Sequence, residues 1–235
     1  NLNLKGIHFH LGSPIFELSP YEEAINYVFE FVKDNYPNYK DIEIFNVGGG
    51  FAVPYSVDDP IVNIDNYAST ICNTLKENVN KNSIKNVKLV IEPGRAIVAR
   101  SGIAIYTIGG IKEIPNLRKY VSVDGGMADN IRPALYGSKY SLFSVNKANI
   151  PHEEIVTIAG KFCETGDKLV ENVPLPKPES NDLIAIPVSG AYNFSMSSNY
   201  NVSLRPAIVL IKSNGKVQLL RRRETYNDIL ELSGI

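Results

Sequence analysis

Residues 42–50 read Ile-Glu-Ile-Phe-Asn-Val-Gly-Gly-Gly. Alternating apolar and polar residues, rich in β-branched and aromatic side chains, predict a strand, and the glycines close it. The same device recurs on both sides. Upstream, Gly6-Ile7-His8-Phe9-His10-Leu11 reads as a strand closed by Gly12-Ser13-Pro14. Downstream, Val87-Lys88-Leu89-Val90-Ile91 ends in Glu92-Pro93-Gly94-Arg95. Helical spacing fills the gaps. Ser19 is expected as an N-cap with Pro20 at the first helical position and Glu22 and Glu23 at the positive end of the dipole. Tyr21, Ile25, Val28 and Val32 share a face, and the helix should stop before Pro37. A second helix is expected from about Asp65 to Lys81, with Tyr67, Ile71, Leu75 and Val79 on one face, and a short one over Arg95 to Arg100. Strand–helix alternation predicts a parallel sheet or barrel with right-handed crossovers. In such folds chemistry collects at the C-terminal ends of the strands.

After Ser101-Gly102 the pattern changes to short strands and turns: Ile103–Ile111, Lys119–Val123, Tyr140–Val145, Glu154–Ala159, Leu183–Val188, Ala207–Lys212 and Lys216–Arg221. Ser213-Asn214-Gly215 signals a hairpin between the last two. Pro174-Leu175-Pro176-Lys177-Pro178 reads as a stiff surface loop, and Thr225 to Leu232 as a short terminal helix. The fold class is therefore α/β plus all-β. Residues 1–101 supply three βα units, and residues 102–235 a β-sandwich or β-barrel domain.

Composition narrows the function. The chain has 235 residues, 24 basic and 25 acidic, which argues against a general nucleic-acid or membrane-surface binder. No apolar run approaches the ~18 residues of a membrane span. Two cysteines make no disulfide framework, so nothing points to secretion and the cytoplasm is the expected compartment. Three histidines without ligand spacing predict no metal site. Asn1-Leu2-Asn3-Leu4-Lys5 is not a signal peptide, and a strand follows almost at once. A β/α barrel needs about 250 residues and eight strands. The chain is therefore expected to start in mid-fold, as a fragment or one piece of a split enzyme.

The strand ends carry the candidate chemistry. Gly48-Gly49-Gly50 lets backbone N–H groups approach an anion, usually phosphate, and Ser13 and Gly94 could add donors. Each is also an ordinary loop residue. Strand alternation sends His8 and His10 to one side. His10 could stack on an aromatic ring or titrate, whereas His8 is read as a satisfied core histidine. Glu92 could keep a ring nitrogen protonated, which is how a pyridoxal cofactor becomes an electron sink, or it could simply pair with Arg95.

Four polar segments interrupt the β half: Asp124-Gly125-Gly126-Met127, Arg132 to Gly137, Gly160 to Asp167, and Gly190 to Met196. Arg132 suits a carboxylate. Cys163 is a reactive thiol or an inert one, and Cys72 reads as core. Arg221-Arg222-Arg223 reads as a solvated strand end rather than a basic patch.

The stretches GIHFHLGS, NVGGGF, IEPGRAIVA, VDGGMADNIRPALYG, CETGD, GAYNFSMSSNYN and RPAIVLI, in this order, resemble the fold-type III pyridoxal-phosphate decarboxylases, and within them the diaminopimelate decarboxylases. The resemblance implies the last three βα units of a TIM-like barrel followed by the C-terminal β domain, and a homodimer with shared active sites. It implies that His10 stacks on the pyridoxal ring. Ser13, Gly48, Gly49, Gly50 and Gly94 would hold the phosphate, and Glu92 would pair with the ring nitrogen. Arg95, Arg132 and Tyr136 would bind substrate carboxylate. Cys163 would serve proton donation and Glu164 would read the distal amine, both in the partner's site. Tyr192 would close over the cofactor. The implied reaction takes carbon dioxide from meso-2,6-diaminopimelate to give L-lysine. The alternatives are a decarboxylase for ornithine, arginine or carboxynorspermidine, or a noncatalytic homologue that binds a partner. The family's Schiff-base lysine lies upstream of HFH.GS. Lys147-Ala148-Asn149 copies its context but sits in the β half, so a companion segment is expected to supply that lysine, and this chain alone is expected to be inactive. Asn201-Val202-Ser203-Leu204 departs from the arginine-rich segment usual before RPA.

Overall fold

A computed structural model describes residues 3–231. It divides into two compact units, Asn1–Arg100 and Ser101–Ile235.

The first unit alternates β1 (Gly6–His8), α1 (Ser19–Asn35), β2 (Ile44–Asn46), α2 (Ile64–Lys81), β3 (Lys88–Val90) and α3 (Gly94–Val98). The strands form a parallel sheet in the order β1-β2-β3, with His8 beside Asn46 and Asn46 beside Val90. One face of the sheet carries the helices. Tyr21, Ile25 and Phe29 of α1 and Tyr67, Ile71 and Leu75 of α2 pack with Phe45 and Val47 in one core. Phe29 stacks on Phe45 at 4.8 Å. The opposite face holds His8, Asn46 and Val90, and Ile44 and Val90 on it are exposed.

Three details differ from the sequence reading. Phe29, not Val28, is the buried third position of α1, because the larger ring reaches the sheet. Ser19 is already helical. The carbonyl of Leu18 accepts from the N–H groups of Tyr21 and Glu22, so Leu18 is the cap, and its side chain packs on the core. His8 is not a core residue: its side chain is 53% exposed at the end of β1.

The second unit contains β4 (Ala104–Ile114), β5 (Arg118–Val123), α4 (Arg132–Tyr136), β6 (Phe143–Ser144), β7 (Glu154–Ala159), β8 (Lys168–Leu175), β9 (Leu183–Ile186), β10 (Ile208–Ile211), β11 (Val217–Arg221) and α5 (Tyr226–Glu231). Leu232, expected in α5, lies outside the described residues. The six-stranded sheet runs β6-β9-β4-β5-β7-β8, and β10 and β11 form a separate hairpin. Gly215 takes φ +77 in its turn. β5 and β7 pair in parallel. A parallel pair needs a long crossover, and that crossover carries α4 with Arg132.

β8 escaped the sequence reading. Pro174 and Leu175, read as loop, pair with Ile155 and Glu154. β8 is an edge strand, where a missing N–H is tolerated. Lys147, the copy of the lysine motif, donates to the carbonyl of Lys177 and to Glu179, and lies 2.8 Å from Asp182. It ties down a loop. Arg222 pairs with Asp228 and Arg221 with Glu224, so these arginines are largely neutralised by neighbours. No described helix is long and apolar enough to cross a membrane.

Candidate active site

In the first unit the three strand ends converge because three glycines leave no side chain between them. A Cβ on Gly48 would lie 2.4 Å from the Phe9 carbonyl oxygen, one on Gly49 2.4 Å from that of Glu92, and one on Gly50 2.4 Å from that of Gly12. Gly48 and Gly50 also take φ +70 and +96, where a side chain is strained. Close approach of backbones is thus the first function of the triple glycine, and it brings His10, Ser13 and Glu92 together.

The Gly49 N–H donates to Nδ1 of His10 at 3.2 Å. A neutral imidazole accepting at Nδ1 carries its proton on Nε2, so the ring has one tautomer and one plane. The Glu92 carboxylate is half exposed, accepts from the Asn46 amide at 2.9 Å, and lies 3.5 Å from Nε2 of His8. The other end of the Asn46 amide accepts from the Gly48 N–H at 2.9 Å. Arg95 is buried. It donates to the Tyr55 hydroxyl at 2.5 Å and to Ser13 Oγ from Nη2 at 3.1 Å and Nε at 3.3 Å. Ser13 Oγ accepts these bonds and keeps its own proton for another acceptor. The Gly94 N–H donates to the Glu92 carbonyl. The amides of Gly48, Gly49 and Gly94 are therefore engaged within the chain. Sequence reasoning missed Asn46 and Tyr55. Asn46 was legible only as the residue that strand alternation sets beside His8.

In the second unit Arg132 opens α4 and is buried. Its Nε donates to the Tyr140 hydroxyl at 3.1 Å and its Nη2 to Ser138 Oγ at 3.3 Å. The guanidinium lies 5.5 Å from the Tyr136 ring centre and 5.7 Å from that of Tyr192. Tyr192 holds this place in a left-handed conformation, φ 64. Cys163 and Glu164 are exposed on the loop before β8. That loop is fastened at Asp167, whose buried carboxylate accepts from the N–H groups of Met127 at 2.7 Å and Phe162 at 2.8 Å. Burial raises the Asp167 pKa against those bonds. Gly166 of the loop lies against Ala134 of α4. The Glu164 carboxylate accepts a short hydrogen bond from the Tyr200 hydroxyl. Cys72, on α2, is half-buried. Asp167, Tyr140, Ser138 and Tyr200 were missed as site supports, although Asp167 and Tyr200 stand inside the quoted motifs.

Glu224 anchors the end of this region. Burial alone would raise its pKa. Hydrogen bonds from the Arg205 backbone, Asn199 and the Arg205 side chain, with the charge of Arg205, instead hold it at about 2 against an ordinary 4.5. A depressed folded-state pKa gives stability that is complete above about 4.5 and lost as pH falls toward 2. Urea unfolding of Glu224→Gln should therefore depend less on pH across that window than unfolding of the parent chain. Parallel curves would assign the acid sensitivity elsewhere.

The family model described as pyridoxal-dependent decarboxylase, pyridoxal binding domain, matches residues 1–99. A diaminopimelate decarboxylase of Bacillus subtilis is 40% identical over 99% of this chain and 53% of its own length. The crystal structure of diaminopimelate decarboxylase from M. jannaschii superposes with a TM-score of 0.88 at 37% identity, over 97% of this chain and 51% of that one. That of the Helicobacter pylori enzyme complexed with L-lysine gives 0.83 at 32% identity, over 98% and 55%. This chain spans about half the length of the relatives it matches. Residues 1–99 thus match the pyridoxal binding domain of pyridoxal-dependent decarboxylases, and the chain as a whole is similar to diaminopimelate decarboxylases along about half of their length.

Proposed function

We propose that this chain is part of a longer or split enzyme that decarboxylates meso-2,6-diaminopimelate to L-lysine with pyridoxal 5'-phosphate. The observation that carries this is the convergence of His10, Ser13, Glu92 and Arg95 at the ends of three parallel strands. Residues 1–101 are read as the end of a β/α barrel and residues 102–235 as its β domain. The enzyme is read as a cytoplasmic homodimer in which Cys163 and Glu164 serve the partner's site, with the cofactor lysine on a further segment. The Helicobacter pylori relative solved with L-lysine supports the product, and the sequence identities favour diaminopimelate over ornithine, arginine or carboxynorspermidine.

The residues present fit the cofactor. A flat imidazole of fixed tautomer, a half-exposed carboxylate braced by an amide, and a hydroxyl and a guanidinium held together suit a ring, a ring nitrogen and a phosphate respectively. When bound, pyridoxal phosphate supplies the electron sink for the pair left as carbon dioxide departs. Among the phosphate donors named from sequence, the engagement of Gly48, Gly49 and Gly94 shifts the weight to Ser13 and Gly50, and Arg95, named for the substrate carboxylate, lies against Ser13. Glu92 holds the proton on the ring nitrogen, and Asn46 fixes the carboxylate that does so. His10 covers one ring face. Arg95, Arg132 and Tyr136 take substrate carboxylate, and Glu164 takes the distal ammonium. Cys163 Sγ delivers the proton to the α-carbon, and Tyr192 covers the reacting centre from water. The gain is orientation of the breaking bond and a preformed charge environment.

The test is product analysis of the complete cofactor-loaded enzyme. Carbon dioxide and L-lysine should form one to one from diaminopimelate, with ornithine and arginine poorer by roughly 10²-fold or more in kcat/KM, because they leave polar groups of the site unpaired. Cys163→Ala should cut kcat by roughly 10²-fold, the usual scale for a proton-transfer group, with the cofactor spectrum intact. Equal turnover of ornithine would move the reading to that substrate.

A further inference from the structure

Tyr200 is the hydroxyl that meets Glu164, and the backbone that presents it is strained. Asn201 and Val202 both take left-handed conformations, φ 50 and 59. Asn tolerates that region, whereas a β-branched Val there is a true outlier. The surrounding structure holds the turn from both sides. Asn199 Nδ2 donates to the Ser203 carbonyl at 2.9 Å and to Glu224 Oε2 at 2.8 Å. Arg205 meets the same carboxylate through its N–H at 2.9 Å and Nη1 at 3.2 Å, and its Nη2 donates to the Ser197 carbonyl. The Ser198 N–H donates to the Ala128 carbonyl at 2.8 Å, tying the turn to the segment that Asp167 fastens. Between these anchors Tyr200 lays its ring 5.7 Å from that of Phe162 and points its hydroxyl at Glu164.

We infer that Tyr200 is a positioning residue for Glu164. It holds an exposed carboxylate in one rotamer so that an incoming ammonium finds it already ordered. A free Glu side chain would have to give up its rotamer freedom when the substrate bound. Ring contact with Phe162 and the anchored turn fix where the hydroxyl lies, and its donated bond leaves the remaining lone pairs of the carboxylate for the ligand. Strain at Asn201-Val202 is then maintained because it sets the direction of Tyr200. The inference rests on the reading of Glu164 as the group that takes the distal amine.

In the holoenzyme, Tyr200→Phe keeps the ring and removes only the hydroxyl. KM for diaminopimelate should rise about fivefold, the scale of the net contribution of one solvent-accessible hydrogen bond, with kcat changed less than about twofold. Glu164→Gln should raise KM at least as much, and the double variant no further than Glu164→Gln alone, since the two act as one unit. An NMR titration of labelled tyrosine, with the Tyr200 signal assigned by its loss in Tyr200→Phe, should show that phenol titrating lower in Glu164→Gln than in the parent enzyme. If Glu164→Gln raises KM and Tyr200→Phe does not, the positioning role is overturned while the role of Glu164 stands. If neither moves KM, the reading of Glu164 fails and takes this inference with it. A fall in kcat alone on losing the hydroxyl also overturns it, because positioning of a binding group acts on KM.

Discussion

Glu92→Gln in the complete enzyme is expected to lower kcat by roughly 10²- to 10³-fold, the scale on which single preorganised electrostatic groups act. The substitution is nearly isosteric. The oxygen of the new side-chain amide can still accept from the Asn46 amide, so the brace seen at 2.9 Å persists. What disappears is the negative charge that, on the proposed reading, would keep a ring nitrogen protonated, and without it the ring would accept electrons poorly. KM should change little, since Glu92 is not assigned a contact with the substrate. Cofactor content, read by absorbance after gel filtration, should stay near that of the parent, because Ser13, Arg95 and His10 are untouched. Asn46→Ala provides an intermediate case, in which the carboxylate keeps its charge and loses its brace, so kcat should fall by about tenfold. If Glu92→Gln retained kcat within about threefold, Glu92 would be a structural brace between Asn46 and His8, and the electron-sink assignment would have to be abandoned.

Much of this site is legible in the sequence, because strand ends announce themselves. Three runs of strand period, each closed by a polar or glycine-rich turn, sit in one parallel sheet, and topology places their C-terminal ends together. Partners are harder to read. Arg95 meets Ser13 across 82 residues of chain, and Asn46 meets Glu92 across 46. Nothing local tells Asn46 that its amide will span a glutamate and a glycine N–H. The triple glycine reads in the sequence as a phosphate loop, whereas its tightest constraint in the structure is the approach of two neighbouring strand ends, residues 9–12 and Glu92. Phase errors have a similar origin: Val28 and Phe29 both lie near the buried stripe of α1, and packing against Phe45 decides between them. β8 was hidden by Pro174 near its end and the prolines just beyond it, and its edge position tolerates the missing N–H. In the β half the quoted motifs were visible, but the division of labour inside them was not. CETGD holds two exposed residues assigned to chemistry and one buried aspartate that holds the loop.

That aspartate gives the largest expected effect on stability. Asp167→Ala should destabilise the second unit by roughly 4 kcal/mol, from two N–H groups left without an acceptor at about 1–3 kcal/mol each. At about 2–4 °C per kcal/mol for a chain of this size, the midpoint of thermal unfolding should drop by roughly 10 °C. The carboxylate also fills space that nothing else can. A Cβ on Gly160 would stand 2.2 Å from one of its oxygens and one on Gly126 2.6 Å from the other, so both glycines exist to admit it. Gly160→Ala should consequently reproduce the loss with Asp167 still present, since its added methyl expels the carboxylate. Asp167→Asn retains one acceptor and should fall between parent and Ala. The pH dependence has the opposite sign to that of Glu224. Burial raises the folded-state pKa of Asp167, so the folded state binds its proton more tightly than the unfolded state does. The contribution of Asp167 to stability therefore declines as pH rises from the ordinary carboxylate range through the raised value, and Asp167→Asn should abolish that slope. Differential scanning calorimetry of the three variants decides the matter. A shift of less than about 2 °C for Asp167→Ala would mean that the backbone of residues 160–167 is held without its carboxylate, and that Cys163 and Glu164 owe their placement to α4 instead.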